Sequence, residues 1–159
     1  MKRQAGDFVA VHQDPIWRDR ANFIFFVPIG TQDGKAEWEQ VWGTQTAEQR
    51  FVLCCIPFFV YGLALGDEVE TDTDFVVQRV VQASGQITFR VWFGSQPAAT
   101  RHELVREIEA MTPLLEWSSE NLLALSARDE TEAQKIADYL QAREEQGLLQ
   151  YENGRARPA

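Results

Sequence analysis

The chain is poor in the residues that most often advertise chemistry. Its 159 residues include two cysteines and two histidines. Cys54 and Cys55 are adjacent, inside the apolar run Phe51-Val52-Leu53-Cys54-Cys55-Ile56. A vicinal disulfide is strained and rare, so no disulfide framework is available and both thiols are expected to be buried in a reducing, cytoplasmic setting. Neither His12 nor His102 stands at a metal-ligand or nucleophile spacing from them, and both histidines read as structural or incidental. His12 ends a strand, and His102 falls in the first turn of a helix, where the dipole disfavours its charged form. No Gly-x-Ser-x-Gly elbow is present, and the glycines Gly62 and Gly66 lack both the spacing and the lysine of a phosphate-binding loop. No cofactor, metal or catalytic residue is therefore expected. Long apolar runs are also missing: the longest, Phe51 to Leu65, is interrupted by Pro57 and Gly62 and falls short of the roughly 20 residues of a membrane-spanning helix. Residues Met1 to Asp7 carry no apolar core of a secretory signal.

Positive charge is scarce as well. Fifteen Lys and Arg face 24 Asp and Glu, for a net charge of -9, which argues against neutralising a phosphate backbone and points to a basic protein partner. Hydrophobic residues make up 45% of the chain and aromatics 11%, enough for a sizeable core. The charge is spread evenly. Residues up to Gly85 hold 7 basic and 12 acidic side chains, and those from Gln86 hold 8 and 12.

The first half reads as strands. Phe8 to His12, Asn22 to Val27, Glu37 to Trp42 and the near-continuously apolar Arg50 to Ile56 are rich in aromatic and β-branched residues. The last belongs near the centre of a sheet. The second is expected to end at Pro28-Ile29-Gly30, with Asp33-Gly34 in a loop longer than the tight two-residue type. Asp67 to Glu70 and Asp74 to Gln82 read as a strand pair. After Ala83-Ser84-Gly85 the style changes. Gln86 to Phe93 alternates, with Ile87, Phe89, Val91 and Phe93 on one face and Thr88, Arg90 and Trp92 on the other, where Trp92 is expected to pack on the first lobe. Thr100-x-x-Glu103 has capping-box spacing before a helix over 101–111, and Asp129-x-x-Glu132 repeats it before a second helix, ended by Gly147, with Ala133, Ile136, Ala137 and Leu140 inside. Leu114 to Trp117, Leu122 to Leu125 and Leu148 to Glu152 are the remaining strands.

This order predicts an α+β fold: a mostly antiparallel N-terminal β lobe, a curled sheet or partial barrel, over 1–85, packed on a C-terminal ferredoxin-like βαββαβ lobe over 86–152, with 153–159 as a disordered tail. The densest acidic segment holds Asp67, Glu68, Glu70, Asp72 and Asp74. These five carboxylates, with Trp38 and Trp42 as exposed aromatic anchors, are the candidate contacts for a basic partner.

The string Ile56-Pro57-Phe58-Phe59-Val60-Tyr61-Gly62-Leu63-Ala64-Leu65-Gly66-Asp67-Glu68-Val69, followed by Ser84-Gly85 and Thr88-Phe89-Arg90-Val91-Trp92-Phe93, resembles a family of bacterial proteins known as domain of unknown function 4265. The resemblance implies no reaction and no catalytic residues; small members resemble the immunity proteins found beside polymorphic toxins. The expected function is thus a non-enzymatic cytoplasmic binding protein, an immunity protein that occludes a toxin's active site. The alternative is a small-molecule sensing module with a ferredoxin-like ligand or dimer interface.

Overall fold

The computed structural model describes residues 2–155. It is a mixed α+β arrangement of two sheets and two helices. The first sheet contains β1 (Phe8–Ala10), β2 (Phe23–Gln32), β3 (Lys35–Ala47), β4 (Arg50–Leu53), β5 (Glu68–Thr71) and β6 (Val77–Gln82). Its strands run in the order β1-β3-β4-β5-β6, with β2 on the other side of β3. All pairings are antiparallel except that of β1 with β3. The sheet curls until Phe26 of β2 meets Val76 in a single bridge, without closing into a barrel.

Three local expectations change here. β2 continues past Pro28 to Gln32 because a bulge between Pro28 and Gly30 absorbs the proline, which has no N–H for the ladder. Gln32 then pairs with Lys35, so Asp33-Gly34 is a tight two-residue turn with positive φ at both positions (52° and 73°), matching the strand twist. β4 does lie between β3 and β5, yet it stops at Leu53, and the apolar residues that follow form an irregular buried segment. Gly62 (φ 81°) and Gly66 (φ 84°) supply the left-handed backbone that this segment needs.

The second sheet comprises β7 (Ile87–Trp92), β8 (Leu114–Trp117), β9 (Leu122–Ala127) and β10 (Gln150–Asn153), in the order β10-β7-β9-β8 and antiparallel throughout. Helix α1 (Ala98–Glu109) follows β7, and α2 (Glu130–Glu145) precedes β10. Leu104 and Ile108 of α1 and Ala133, Ile136 and Leu140 of α2 share one core with Ile87, Phe89, Val91 and Phe93, so both helices cover the same face. Asp129 caps α2, its side chain accepting from the Glu132 N–H at 2.8 Å. α1 differs: Pro97 is its N-cap, with no side-chain cap, and Thr100 lies inside the helix. Proline's fixed φ, here -56°, starts the helix ahead of the Thr-x-x-Glu box.

The opposite face of β7 meets the first lobe. Thr88 and Arg90 are buried there, but Trp92 is 45% exposed. The expectation that Trp92 packs on the first lobe is therefore corrected: β7 runs beyond the cover, and its last side chain is left in solvent. Ile56, Phe58 and Leu65 of the irregular segment join Ala124 of β9 in a third core, with Ile16, Trp17 and Leu114 against it. That core forms the seam. Asn153 to Arg155 are not a loose tail either. Asn153 belongs to β10, and Gly154 N–H donates to Thr88 O at 2.9 Å while its carbonyl accepts from Gly62 N–H at 2.8 Å. Residues 156–159 of the expected tail lie outside the described residues. Among the described residues no helix is long and apolar enough to cross a membrane.

Candidate functional site

A buried irregular segment poses an accounting problem, because its N–H groups have no ladder partners and their desolvation is costly. Carboxylates solve it here. Glu39, in the middle of β3, accepts from the N–H groups of Phe58 (2.7 Å), Phe59 (3.0 Å) and Val60 (3.0 Å). Glu116, on β8 of the other lobe, accepts from Ile56 N–H at 2.7 Å and Ile16 N–H at 3.4 Å. His12 stands between them, Nε2 donating to Glu39 at 2.7 Å and Nδ1 to Glu116 at 2.5 Å, with its ring stacked on Phe58 at 4.0 Å.

Three ionisable side chains are thus buried at the seam. Burial disfavours the His12 imidazolium, but the Cys55 sulfur beside it and the two carboxylates outweigh that, and its pKa is pushed up to about 12. Burial likewise works against the Glu39 carboxylate, yet the bonds from His12 and the loop amides hold its pKa below the usual value. Desolvation pushes the Cys55 thiol up, while the His12 charge beside it works the other way. The cluster clamps the two lobes together. Its donors and acceptors are spent on each other and on the backbone, and the His12, Glu39 and Glu116 side chains have at most 1% exposure.

The sequence-derived contact residues divide. Glu68, Glu70, Asp72 and Asp74 come together on the β5–β6 hairpin, while two others are corrected from surface to interior. Asp67 is 5% exposed and accepts from Ala64 N–H (2.9 Å) and Ser84 N–H (2.8 Å), tying the irregular segment to the link between the lobes. Burial raises its carboxyl pKa despite those bonds. Trp38 is fully buried, its indole N–H donating to Asp7 at 2.9 Å. Both faces of β3 are covered at that point, which is why neighbouring Trp38 and Glu39 are buried together. Trp42 is half-buried beneath the Arg18 guanidinium at 5.5 Å. On the hairpin, Glu70 pairs with Arg79 (3.1 Å) and Arg50 (3.6 Å), Asp72 holds the turn by accepting from Asp74 and Val76 N–H groups, and Glu68 accepts from the Thr46 hydroxyl. Asp74 is exposed.

An open concave surface lies elsewhere. A groove of about 720 Å³ runs along the end of β7 and the α2–β10 connection, lined by Trp92, Gly94, Gln96, Glu144 and Tyr151 among others. A recess of about 200 Å³ adjoins it at Trp92, with Arg90, Leu122 and Glu152 in its wall. Arg90 is 2% exposed; its Nε donates to Glu152 at 2.8 Å and its Nη1 to Val60 O at 2.8 Å, under the Tyr61 ring. The Tyr61 hydroxyl donates to the same Glu152. Burial, with the carboxylates of Glu144, Asp138 and Glu145, raises the Tyr151 pKa.

Sequence reasoning passed over Glu39, Glu116 and the groove. A lone acid inside an apolar strand, as in Leu114-Leu115-Glu116-Trp117, was the available signal for the clamp: such a side chain is either on a solvent face or the answer to a buried donor. For the groove, it was a tryptophan at a strand end followed by Phe93-Gly94.

The fold and this seam define a two-lobed α+β protein whose irregular central segment is held by carboxylates from both lobes. The family model for a domain of unknown function, DUF4265, matches residues 39–151, and the chain belongs to that family. The match begins at Glu39 and contains the whole irregular segment and Glu116. A solved structure described as a hypothetical protein from Neisseria gonorrhoeae is similar, with a TM-score of 0.69, 21% identity, and coverage of 86% of this chain and 96% of that one; at this identity the likeness concerns the fold. No curated protein matches the chain.

Proposed function

We propose that this is a non-enzymatic cytoplasmic binding protein for a basic partner, an immunity protein that neutralises a toxin domain by occluding its active site. The observation that carries the reading is the open groove at Trp92, an aromatic surface beside Glu144 on a chain of net charge -9. The residues with catalytic potential support it from the other side, since His12, Cys55, Glu39 and Glu116 are enclosed in the clamp. Glu68, Glu70, Asp72, Asp74 and Trp42 serve as a second contact area, with Asp67 and Trp38 removed from the set. The second lobe is read as ferredoxin-like, a reading supported by the strand order β10-β7-β9-β8 with both helices on one face. Co-expression with a basic toxin-like protein encoded beside it should restore growth, and the complex should weaken steeply with salt. No protection, or a salt-insensitive complex, overturns the proposal.

One observation favours the alternative, a small-molecule sensing module: the volume of the groove falls within the roughly 300–1,000 Å³ of ligand pockets. That reading requires a ligand-dependent rise in melting temperature together with symmetric self-association.

A further inference from the structure

Tryptophan faces in this protein attract arginines. Arg18 lies over Trp42 at 5.5 Å and Arg20 over Trp17 at 4.3 Å, while Arg3 covers Phe26, Arg90 covers Tyr61 and Arg143 covers Tyr139. Trp38 is buried, and Trp117 has the Phe93 ring at 6.0 Å. Trp92 alone among the five tryptophans is exposed with neither a cation nor a ring partner among the described residues. Indole is the strongest cation acceptor of the aromatic side chains, because the negative face of its ring quadrupole attracts a positive group set above it.

The surroundings match that preference. Among the described residues that line the groove, Glu144 is the one acidic side chain, and no basic one is present. Its carboxylate accepts from Tyr151 N–H at 3.0 Å, which fixes it on the edge of β10. Arg90, the cation in the neighbouring recess, is paired with Glu152 through Nε and donates from Nη1 to Val60 O; its Nη2 has no hydrogen-bond partner among the described residues, but the residue has only 2% exposure from which to repel an incoming charge. The carboxylates of Glu144, Asp138 and Glu145 all bear on Tyr151. Gly94 and Gly147 keep the groove rim low. An anion entering the groove would meet Glu144, and no Lys or Arg stands among the described residues that line it.

We infer that the groove takes the guanidinium or ammonium end of a basic side chain of the partner protein, set over the Trp92 face with Glu144 as counter-charge. The inference rests on the basic-partner reading and gives it an anchor: one buried Arg or Lys at the centre, with the β5–β6 carboxylates acting as a separate, salt-screened area.

The test uses the full chain, labelled with ¹⁵N, titrated with N-acetyl-arginine amide and, in parallel, with N-acetyl-citrulline amide, a neutral compound of nearly the same shape. The arginine compound should shift the Trp92 indole N–H and the Gly94 and Gly147 amides at millimolar concentration, and the citrulline compound should not. Trp92→Ala, a change at an exposed position, should abolish the response. Trp92→Phe and Glu144→Gln should each weaken it by roughly threefold to tenfold, and Trp117→Phe should leave it unchanged. No shift with the arginine compound, an equal response to citrulline, or a response that survives Trp92→Ala overturns the inference. The two proposals fail separately. Growth protection by a Trp92→Ala variant equal to that of the unchanged chain would reject the groove and keep the partner, whereas arginine binding without protection would keep the cation site and reject the immunity role.

Discussion

The two lobes satisfy their buried backbone by different means. In the second, the backbone is answered by antiparallel ladders, by two helices and by an aspartate cap. In the first, the stretch between β4 and β5 has no regular structure, and four of its amides are answered by two glutamates distant in sequence, one of them from the other lobe. Periodic pattern encodes the first kind of satisfaction. The second kind depends on long-range placement of single side chains, which no local pattern records.

The sharpest way to break the contrast is at Glu39. Glu39→Ala strips three loop amides of their acceptor and leaves the His12 imidazolium with one partner, and should cost about 3–5 kcal/mol in urea unfolding. A purely apolar deletion in the other lobe, Leu125→Ala in the fully buried centre of β9, is expected to cost about 2–5 kcal/mol. If the clamp joins the lobes into one cooperative unit, the Leu125 variant still melts in a single transition and the Glu39 variant separates into two; one transition in both would place the coupling in the apolar seam instead.

A pH titration sharpens the same point. His12 in the fold keeps its proton to about pH 12, whereas the free side chain loses it near 6.5. The folded state therefore binds the extra proton above 6.5, so the stabilisation is fully present below 6.5 and is lost as pH rises toward the folded value. Between 6.5 and the ordinary thiol value of 9.0, stability should fall by up to about 1.4 kcal/mol per pH unit, and His12→Gln should flatten that slope. On the hairpin the effects shrink. Asp72→Ala removes the acceptor for two turn amides and should cost about 1 kcal/mol. Glu70→Ala, which breaks surface pairs with Arg50 and Arg79, should cost about 0.5 kcal/mol by the same urea measurement.

The same contrast governs what was legible in the sequence. Alternation along Ile87 to Phe93 located β7, and the Asp129 cap with the spacing of Ala133, Ile136 and Leu140 located α2, each to within a few residues. β4 was recognised from its continuous apolar run, but its end was not, because Cys54, Cys55 and Ile56 are as apolar as the strand and only the Glu39 and Glu116 carboxylates decide where the ladder stops. The acidic run looked like one surface in the sequence. Strand alternation and backbone demand distributed it instead: Asp67 faces inward to meet two amides, and Asp72 is committed to its own turn. The clamp needed His12, Glu39 and Glu116 to be seen together, and nothing at the level of spacing links them.

The Glu116 contact has a consequence for synthesis. His12 and Glu116 are 104 residues apart, and chains emerge from the ribosome N-terminus first, at roughly 5–20 residues per second. For the seconds between the appearance of Ile56 and that of β8, the first lobe exists without the carboxylate that receives the Ile56 amide and half of the His12 charge. The irregular segment is therefore expected to be the last part of the first lobe to settle during translation.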